Sequence, residues 1–264
     1  NFITNSDTEV ILELYKIYGI EFIEHIEGMF SICIYDNNNK IGYLIRDRLG
    51  EKPLFYYHNK NELIFSSELK SIKFSFNNLF DIDFSSLEDY FSLNYILTNK
   101  SIFNKIKKLE PGNYIEFNFE DYFQIKKYWK LEDYFNNKRE FDEEEFEELI
   151  ENKISIIGKY DKTIGTFLSG GLDSSYLSTI ISKTNSNQIT TTYKFQNKNF
   201  DESNHASYMA KFLKINNKPI LENNNNLQDN LLKIVYSLDE PMSDTSILPF
   251  YQLCYHSKEF SKVY

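Results

Sequence analysis

The stretch Leu168-Ser169-Gly170-Gly171-Leu172-Asp173-Ser174-Ser175 gathers the residue types that hold a phosphate chain. Adjacent glycines let the backbone curl so that successive N–H groups point into one concavity, and a helix starting just after them adds its partial positive charge. The hydroxyls of Ser169, Ser174 and Ser175 can donate to phosphate oxygens. Asp173 would repel those oxygens unless a divalent cation lay between them, so it calls for Mg2+, with Asp173 as the metal ligand. Two familiar alternatives fail. A Walker A loop needs a Lys after its second glycine, and none follows here; a dinucleotide fingerprint needs three spaced glycines, and only two occur. The plain structural alternative is a strand-to-helix turn with a serine N-cap.

Such a loop must sit between a strand and a helix. Thr163 to Leu168 reads as a buried strand and Ser174 to Ser182 as a helix; Gln188 to Phe195, Ser203 to Leu213 and Lys218 to Leu221 continue the alternation as strand, helix and strand. That rhythm predicts a parallel sheet flanked by helices, with a ligand at the carboxyl ends of its strands. The first half differs. After a helix over 8–18 come short runs at 29–35, 41–45, 54–57 and 62–65, with hairpin turns at Asn37-Asn38-Asn39 and Asn59-Lys60-Asn61. Residues 113–119 and 123–129 form a further antiparallel pair around Glu120-Asp121. Asn136-Asn137, Asn216-Asn217 and Asn223 to Asn226 read as turns or loop tips. From Glu132 to Glu151 ten acids face two bases, which marks a boundary; Asp142 then caps a helix whose apolar face is Phe146, Leu149, Ile150, Ile154 and Ile157.

Composition bounds what the chain can be. Its 264 residues, 41% hydrophobic, can bury a sizeable core and suggest about two domains. With 29 Lys+Arg against 39 Asp+Glu the formal charge is −10, which argues against gripping a nucleic acid; any polyanion bound must be small. Two cysteines are too few for a disulfide framework, and both Cys33 and Cys254 read as inert core thiols, so a reducing, cytoplasmic setting is expected. No run approaches a membrane span. The four histidines lack metal-ligand spacing. The chain begins at Asn1 rather than Met and ends on a strand-like Ser261 to Tyr264, so a fragment is expected.

The glycine-rich string resembles the PP-loop of the N-type ATP pyrophosphatases, whose Ser-Gly-Gly-x-Asp-Ser core binds the pyrophosphate end of ATP. In that family a substrate carboxylate attacks the α-phosphate to give an acyl-adenylate, and ammonia displaces AMP. The loop alone leaves tRNA thiolation and the synthesis of GMP, argininosuccinate or NAD open. Further blocks narrow the choice. Ser6-Asp7-Thr8-Glu9-Val10-Ile11, Gly28-Met29-Phe30-Ser31, the block from Arg46 to Leu54 and Phe65-Ser66-Ser67-Glu68-Leu69-Lys70 together resemble the class II glutamine amidotransferase domain of glutamine-hydrolysing asparagine synthetases. Lys108-Leu109-Glu110-Pro111-Gly112, Phe200-Asp201-Glu202-Ser203, Leu238-Asp239-Glu240-Pro241 and Ser246-x-x-Pro249 extend it along nearly the whole chain.

The resemblance implies an α+β, Ntn-type αββα glutaminase portion over residues 1–130, an acidic linker at 131–141, and an α/β doubly wound parallel sheet of PP-loop, HUP-like type over 142–264, both domains incomplete. It implies ATP and Mg2+, with Leu168, Ser169, Gly170, Gly171, Asp173, Ser174, Ser175 and Tyr193 at the nucleotide, and Asp7 on the α-amino group of glutamine. Asp7 also fits a plain capping box with Ser6 and Glu9. The Arg46 to Leu54 block reads as scaffold, its charges pairing with one another or with Glu68. Asp239-Glu240-Pro241 opens a loop where acids could face the acceptor site. The implied reaction is amidation of aspartate, with aspartate, glutamine and ATP as small-molecule partners, no nucleic acid or membrane, and a homodimer as a compatible assembly. A related acceptor, such as a sugar acid or β-lactam precursor, and an inactive binding-only homologue are the alternatives.

Two departures stand out. The family's glutaminase nucleophile is an N-terminal Cys, and neither Cys33 nor Cys254 occupies that place, so the 264 residues alone are expected to lack activity. Where the family has a small aliphatic residue and Gly, this chain has Tyr193-Lys194, beside the expected adenine.

Overall fold

A computed structural model describes residues 2–76, 80–136, 138–158, 163–225 and 227–261. The chain divides into two units, Asn1–Asn136 with Asp239–Pro241, and Asn137–Leu238 with Met242–Tyr264.

In the first unit, helix α1 (Asp7–Tyr18) starts where Ser6 accepts the Thr8 amide and ends at Gly19. Strands β1 (Ser31–Asp36) and β2 (Ile41–Arg46) form an antiparallel pair, as do β3 (Phe55–His58) and β4 (Leu63–Ser66). After α2 (Leu69–Ser75) and α3 (Phe84–Leu93) come β5 (Lys107–Lys108), β6 (Asn113–Phe117) and β7 (Phe123–Lys127). Two sheets result, ordered β1-β2-β6-β7 and β4-β3-β5.

Alternation along the strands sorts the side chains. Leu44, Ile115 and Phe117 of the first sheet meet Leu54, Tyr56 and Leu109 from the second in one buried cluster, so the sheets lie face to face. Tyr43 and Ile45, one residue out of phase, turn the other way onto Phe22, Ile23 and the Ile11, Leu14 and Tyr15 side of α1. Phe55 likewise turns outward onto Leu69 and Ile72 of α2. The unit is therefore layered helix, sheet, sheet, helix. Gly42 is required in β2 because the Phe117 ring lies where a Cβ would stand.

In the second unit, α4 (Glu143–Gly158) opens with Asp142 accepting the Glu145 amide at 3.0 Å. Its expected apolar face is only partly used: Ile150 and Ile154 are half-buried, whereas Phe146 and Leu149 are exposed. Then follow β8 (Gly165–Phe167), α5 (Leu172–Thr184), β9 (Ile189–Lys194), α6 (Ser203–Leu213), β10 (Asn216–Leu221), α7 (Leu227–Leu238) and α8 (Ile247–Ser257). The strands are parallel, in the order β10-β9-β8.

Thr190, Thr191 and Thr192 are buried in β9, and each hydroxyl is satisfied. Thr190 donates to Asn217 Oδ1 at 3.0 Å, Thr192 shares its one hydroxyl proton between the Leu168 carbonyl at 2.8 Å and Asn217 Oδ1 at 3.0 Å, and Thr191 accepts from Ser257 of α8 at 3.0 Å. Asn216 and Asn217 thus start β10 rather than forming a turn, because the Asn217 amide has buried partners to serve. Asn137, Asn226, the Ile157 side chain and the strand expected over 262–264 lie outside the described residues.

Candidate functional site

The glycine-rich segment leaves the carboxyl end of β8 and enters α5. Gly170 has φ +89°, and a Cβ there would lie 2.6 Å from the Ala206 nitrogen and 2.6 Å from His205 Cβ, so both conformation and space demand glycine. Gly171 differs: with φ −70° and ψ 165° it is the N-cap of α5 in an ordinary extended conformation. The loop is cross-tied by hydroxyls. Ser169 and Ser174 hydroxyls lie 3.0 Å apart, Ser174 Oγ accepts the Ser169 amide at 3.3 Å, and Ser169 Oγ accepts the Gly171 amide at 3.2 Å. The first turn of α5 adds N–H groups that no helix carbonyl can take, beside the positive end of the helix dipole.

Asp173 is exposed in that first turn. Ser175 is turned inward, its hydroxyl buried and without a hydrogen-bond partner, so Ser169 and Ser174 carry the accessible hydroxyls. Leu168 is 1% exposed and packs on Ala206 and Ala210. Its amide donates to Thr191 at 2.9 Å and its carbonyl accepts from Thr192 at 2.8 Å, so its backbone ties the loop to β9 while the residue lines the cavity beside it.

A cavity of about 350 Å³ opens beside this loop, its lining including Ser169, Ser174, Phe167, Tyr193, Phe195, Phe200 and Glu202. Tyr193 ends β9 half-buried, its hydroxyl donating to Gln252 Oε1 of α8 at 3.0 Å. Burial, then the charge of Glu222, pushes its phenol pKa up to about 12. The aromatic lining and Gln252 went unnoticed in the sequence, where Gln252 is one polar residue in the apolar run from Pro249 to Tyr255.

A family model described as a glutamine amidotransferase domain matches residues 1–129, and one described as asparagine synthase matches residues 145–264. The protein called "Putative asparagine synthetase (glutamine-hydrolyzing) 2" in Methanocaldococcus jannaschii is 33% identical over 269 residues, covering 98% of this chain and 52% of that protein. Asparagine synthetase (glutamine-hydrolyzing) 1 of Bacillus subtilis is 30% identical over 263 residues, covering 98% and 41%. The chain belongs to the glutamine-hydrolysing asparagine synthetase family. It spans about half the length, or less, of these two relatives. Among solved structures, the NH3-dependent NAD synthetase of Campylobacter jejuni aligns with a TM-score of 0.33 at 17% identity, over 46% of this chain and 54% of that one.

Asp7, in the other unit of this family member, is exposed in the first turn of α1. The capping box beside it is incomplete: Glu9 accepts from the Ile3 and Thr4 amides at 2.8 and 2.6 Å rather than from Ser6. Those bonds, the Ile3 amide first, hold the Glu9 carboxyl below its usual pKa.

Asp47 is the buried centre of the Arg46 to Leu54 block. It accepts amides from Glu51 and Lys52 at 2.9 Å, Leu49 at 3.2 Å and Phe30 at 3.3 Å. Burial works to raise its pKa, and the amides outweigh it, leaving the carboxyl below its usual value. Arg46 donates to the carbonyls of Leu109, Gly50 and Lys52 at 2.6, 2.8 and 2.9 Å, and Arg48 to that of Ile26 at 2.9 Å. These charges hold backbone turns instead of pairing with Glu68.

Asp239 and Glu240 are engaged within the first unit. Asp239 accepts the Leu69 and Lys70 amides at 3.0 and 3.3 Å and pairs with Lys70 Nζ at 3.1 Å. Glu240 accepts the Ile102 amide at 3.2 Å and pairs with Lys108 at 2.8 Å. Asp201 bonds Ser203 at the start of α6, at 3.2 Å from its amide and 3.1 Å from its hydroxyl.

Contrary to the expectation of core thiols, Cys33 and Cys254 are both exposed. Partial burial nonetheless raises the pKa of both thiols, which disfavours the thiolate. No helix among the described residues is long and apolar enough to cross a membrane, and none of their His, Cys, Asp and Glu side chains form a group of three or more able to hold a metal.

Proposed function

We propose that the protein is a carbon–nitrogen ligase that uses glutamine as amide donor and ATP to convert aspartate to asparagine, releasing glutamate, AMP and pyrophosphate. The observation that carries this is the loop from Ser169 to Ser174 in a chain of this family, where two hydroxyls meet a helix N-terminus at the end of a parallel strand and Asp173 is exposed in the first turn of that helix. In this reading the second unit is a doubly wound PP-loop sheet and the first an Ntn-type glutaminase portion, in a cytoplasmic enzyme.

The loop's donors would take the pyrophosphate end of ATP. Asp173 fits a magnesium ligand: it is exposed next to the hydroxyls, and among the described residues no cage of several acids surrounds it. Mg2+ favours such a place, since it binds through one or two carboxylates plus substrate phosphates and keeps several waters. When bound, the ion offsets the charge that grows on the leaving pyrophosphate. The aspartate side-chain carboxylate attacks the α-phosphorus, the bond to pyrophosphate breaks, and ammonia displaces AMP from the resulting β-aspartyl-adenylate. Asp7, an exposed carboxylate on the first unit, would take the α-amino group of glutamine.

The test is ATP–pyrophosphate exchange by the full-length protein. Exchange should require aspartate, and Asp173→Asn should lower it by about 100-fold or more, the scale of losing one preorganised electrostatic contact. Undiminished exchange in that variant would overturn the magnesium role, and exchange driven by a different carboxylate would move the reaction to another acceptor.

A further inference from the structure

The cavity beside the glycine-rich loop has a mixed lining. It joins the loop serines Ser169 and Ser174 to the rings of Phe167, Tyr193, Phe195 and Phe200, with Glu202 and apolar and threonine residues between them. At about 350 Å³ it lies at the lower end of the range for small-molecule sites. A ligand that is anionic at one end and a flat aromatic ring at the other matches this lining. A nucleotide has that shape.

Among the aromatics, Tyr193 has a hydroxyl anchored away from the cavity. Its acceptor, Gln252 Oε1, also accepts the Asn223 amide at 3.0 Å, while Gln252 Nε2 donates to the Asn223 carbonyl at 2.7 Å. Gln252 is 4% exposed, so the bonds made by its amide hold it in a single orientation. Through it the end of β9, helix α8 and the segment after β10 are tied at one point. The Tyr193 ring is further set edge-on to Phe195, with centroids 4.9 Å apart. A small aliphatic residue could do neither of these things.

We infer that Tyr193, locked by Gln252, is the size filter for the nucleobase: Tyr193 is the specificity-determining wall and Gln252 its positioning residue. This rests on the ATP-binding reading above and goes beyond it by naming what limits the base. A ring pinned at its far end cannot swing aside, so a base enlarged at its edge is refused, whereas a ring free to rotate would admit it. The elevated Tyr193 pKa accords with a phenol that stays neutral and keeps donating to Gln252 across the physiological range.

The experiment measures binding of Mg-ATP, and of ATP analogues carrying a benzyl-sized group at N6, C2 or C8, to the full-length wild type and to Tyr193→Ala, Tyr193→Phe and Gln252→Leu. Wild type should bind Mg-ATP and refuse the enlarged analogues. Tyr193→Ala should improve at least one analogue relative to ATP by about tenfold or more, as expected for a pocket gaining room for several carbons. Tyr193→Phe and Gln252→Leu should each weaken Mg-ATP about three- to tenfold, and the double variant no more than Gln252→Leu alone, because the one bond that Tyr193→Phe deletes is among those Gln252→Leu already removes.

A general loosening of the fold would not move the analogue-to-ATP ratio, so that ratio separates a wall from a merely structural residue. If Tyr193→Ala does not fold, the non-additivity of the two conservative variants carries the test. Wild type that binds Mg-ATP, with analogue ratios unchanged in Tyr193→Ala or additive effects in the conservative pair, overturns the inference alone. Wild type that does not bind Mg-ATP overturns the ATP reading, and the inference with it.

Discussion

Adjacent glycines in the loop before α5 do different work, and substitution should separate them. Gly170→Ala forces a Cβ into backbone of α6 at a left-handed φ. The conformational cost alone is about 1–2 kcal/mol, and the clash adds to it. Gly170→Ala should therefore lower the thermal midpoint and abolish Mg-ATP binding together. At Gly171 an added Cβ meets only Ser169 Oγ, at 3.3 Å, so Gly171→Ala should leave the midpoint within about 1 kcal/mol of wild type. A Gly170→Ala variant as stable as Gly171→Ala would show that the α6 contact is not binding. Both glycines were legible in the sequence as a loop; their inequality was not, because it depends on His205 and Ala206, more than thirty residues away. Asp47 offers a second contrast. Its depressed pKa means that its stabilisation is complete above its usual value of 3.8 and fades as pH falls through the lower folded value. Asp47→Asn puts an N–H donor against amides that are themselves donors, and should cost about 2–3 kcal/mol at neutral pH. The gap to wild type should narrow below pH 3.8, read by denaturant melts at several pH values. A gap independent of pH would mean that the carboxylate charge is not what the turn uses.

At the scale of elements, legibility followed how local the determinants are. Strands β1 to β4 stood out because each is short and each pair is joined by an Asn-rich turn, at Asn37-Asn38-Asn39 and Asn59-Lys60-Asn61, and α6 because its start and apolar face lie within eleven residues. The short helix α2 was missed for an equally physical reason. Its own N-cap residue, Glu68, makes no side-chain cap, and its first-turn amides are taken by Asp239, 169 and 170 residues along the chain. No periodicity in a seven-residue segment can announce a cap that arrives from so far away. The same contact explains why Asp239 tolerates φ +63°: the carboxylate is placed by the amides and Lys70 rather than by its own backbone preference. Asp239→Ala should cost about 1–2 kcal/mol, the usual worth of a cap with a charge at a helix N-terminus. Asp239→Asn keeps an acceptor and suits a left-handed φ, so it should lose less. Hydrogen exchange at the Leu69 and Lys70 amides is the direct measurement. Unchanged protection there in Asp239→Ala would show that the amides find water or another acceptor without loss.

For the whole molecule, the net charge of −10 limits what an anion site in the loop could be made of. A chain short of cations can still bind a small polyanion if amides, hydroxyls and a metal ion supply the positive potential, as Ser169, Ser174, the α5 N-terminus and Asp173 are arranged to do. The two units have separate buried clusters, one set built on Leu44, Ile45 and Phe55 and the other on Leu168, Ala206 and Ala210. Units with their own cores need not unfold together, and a ligand confined to one stabilises that one. Calorimetry of the full-length protein should therefore show more than one transition. Saturating Mg-ATP should raise only the transition that includes the second unit, by about 2.7 kcal/mol at 100 times the dissociation constant. Asp47→Asn should lower only the transition of the first unit, and Asp173→Asn should erase the Mg-ATP shift without moving either midpoint much in its absence. A single transition displaced as a whole by both Mg-ATP and Asp47→Asn would instead mean that the two cores are thermodynamically one, and that nucleotide occupancy of the second unit is felt as stability at Asp7 in the first.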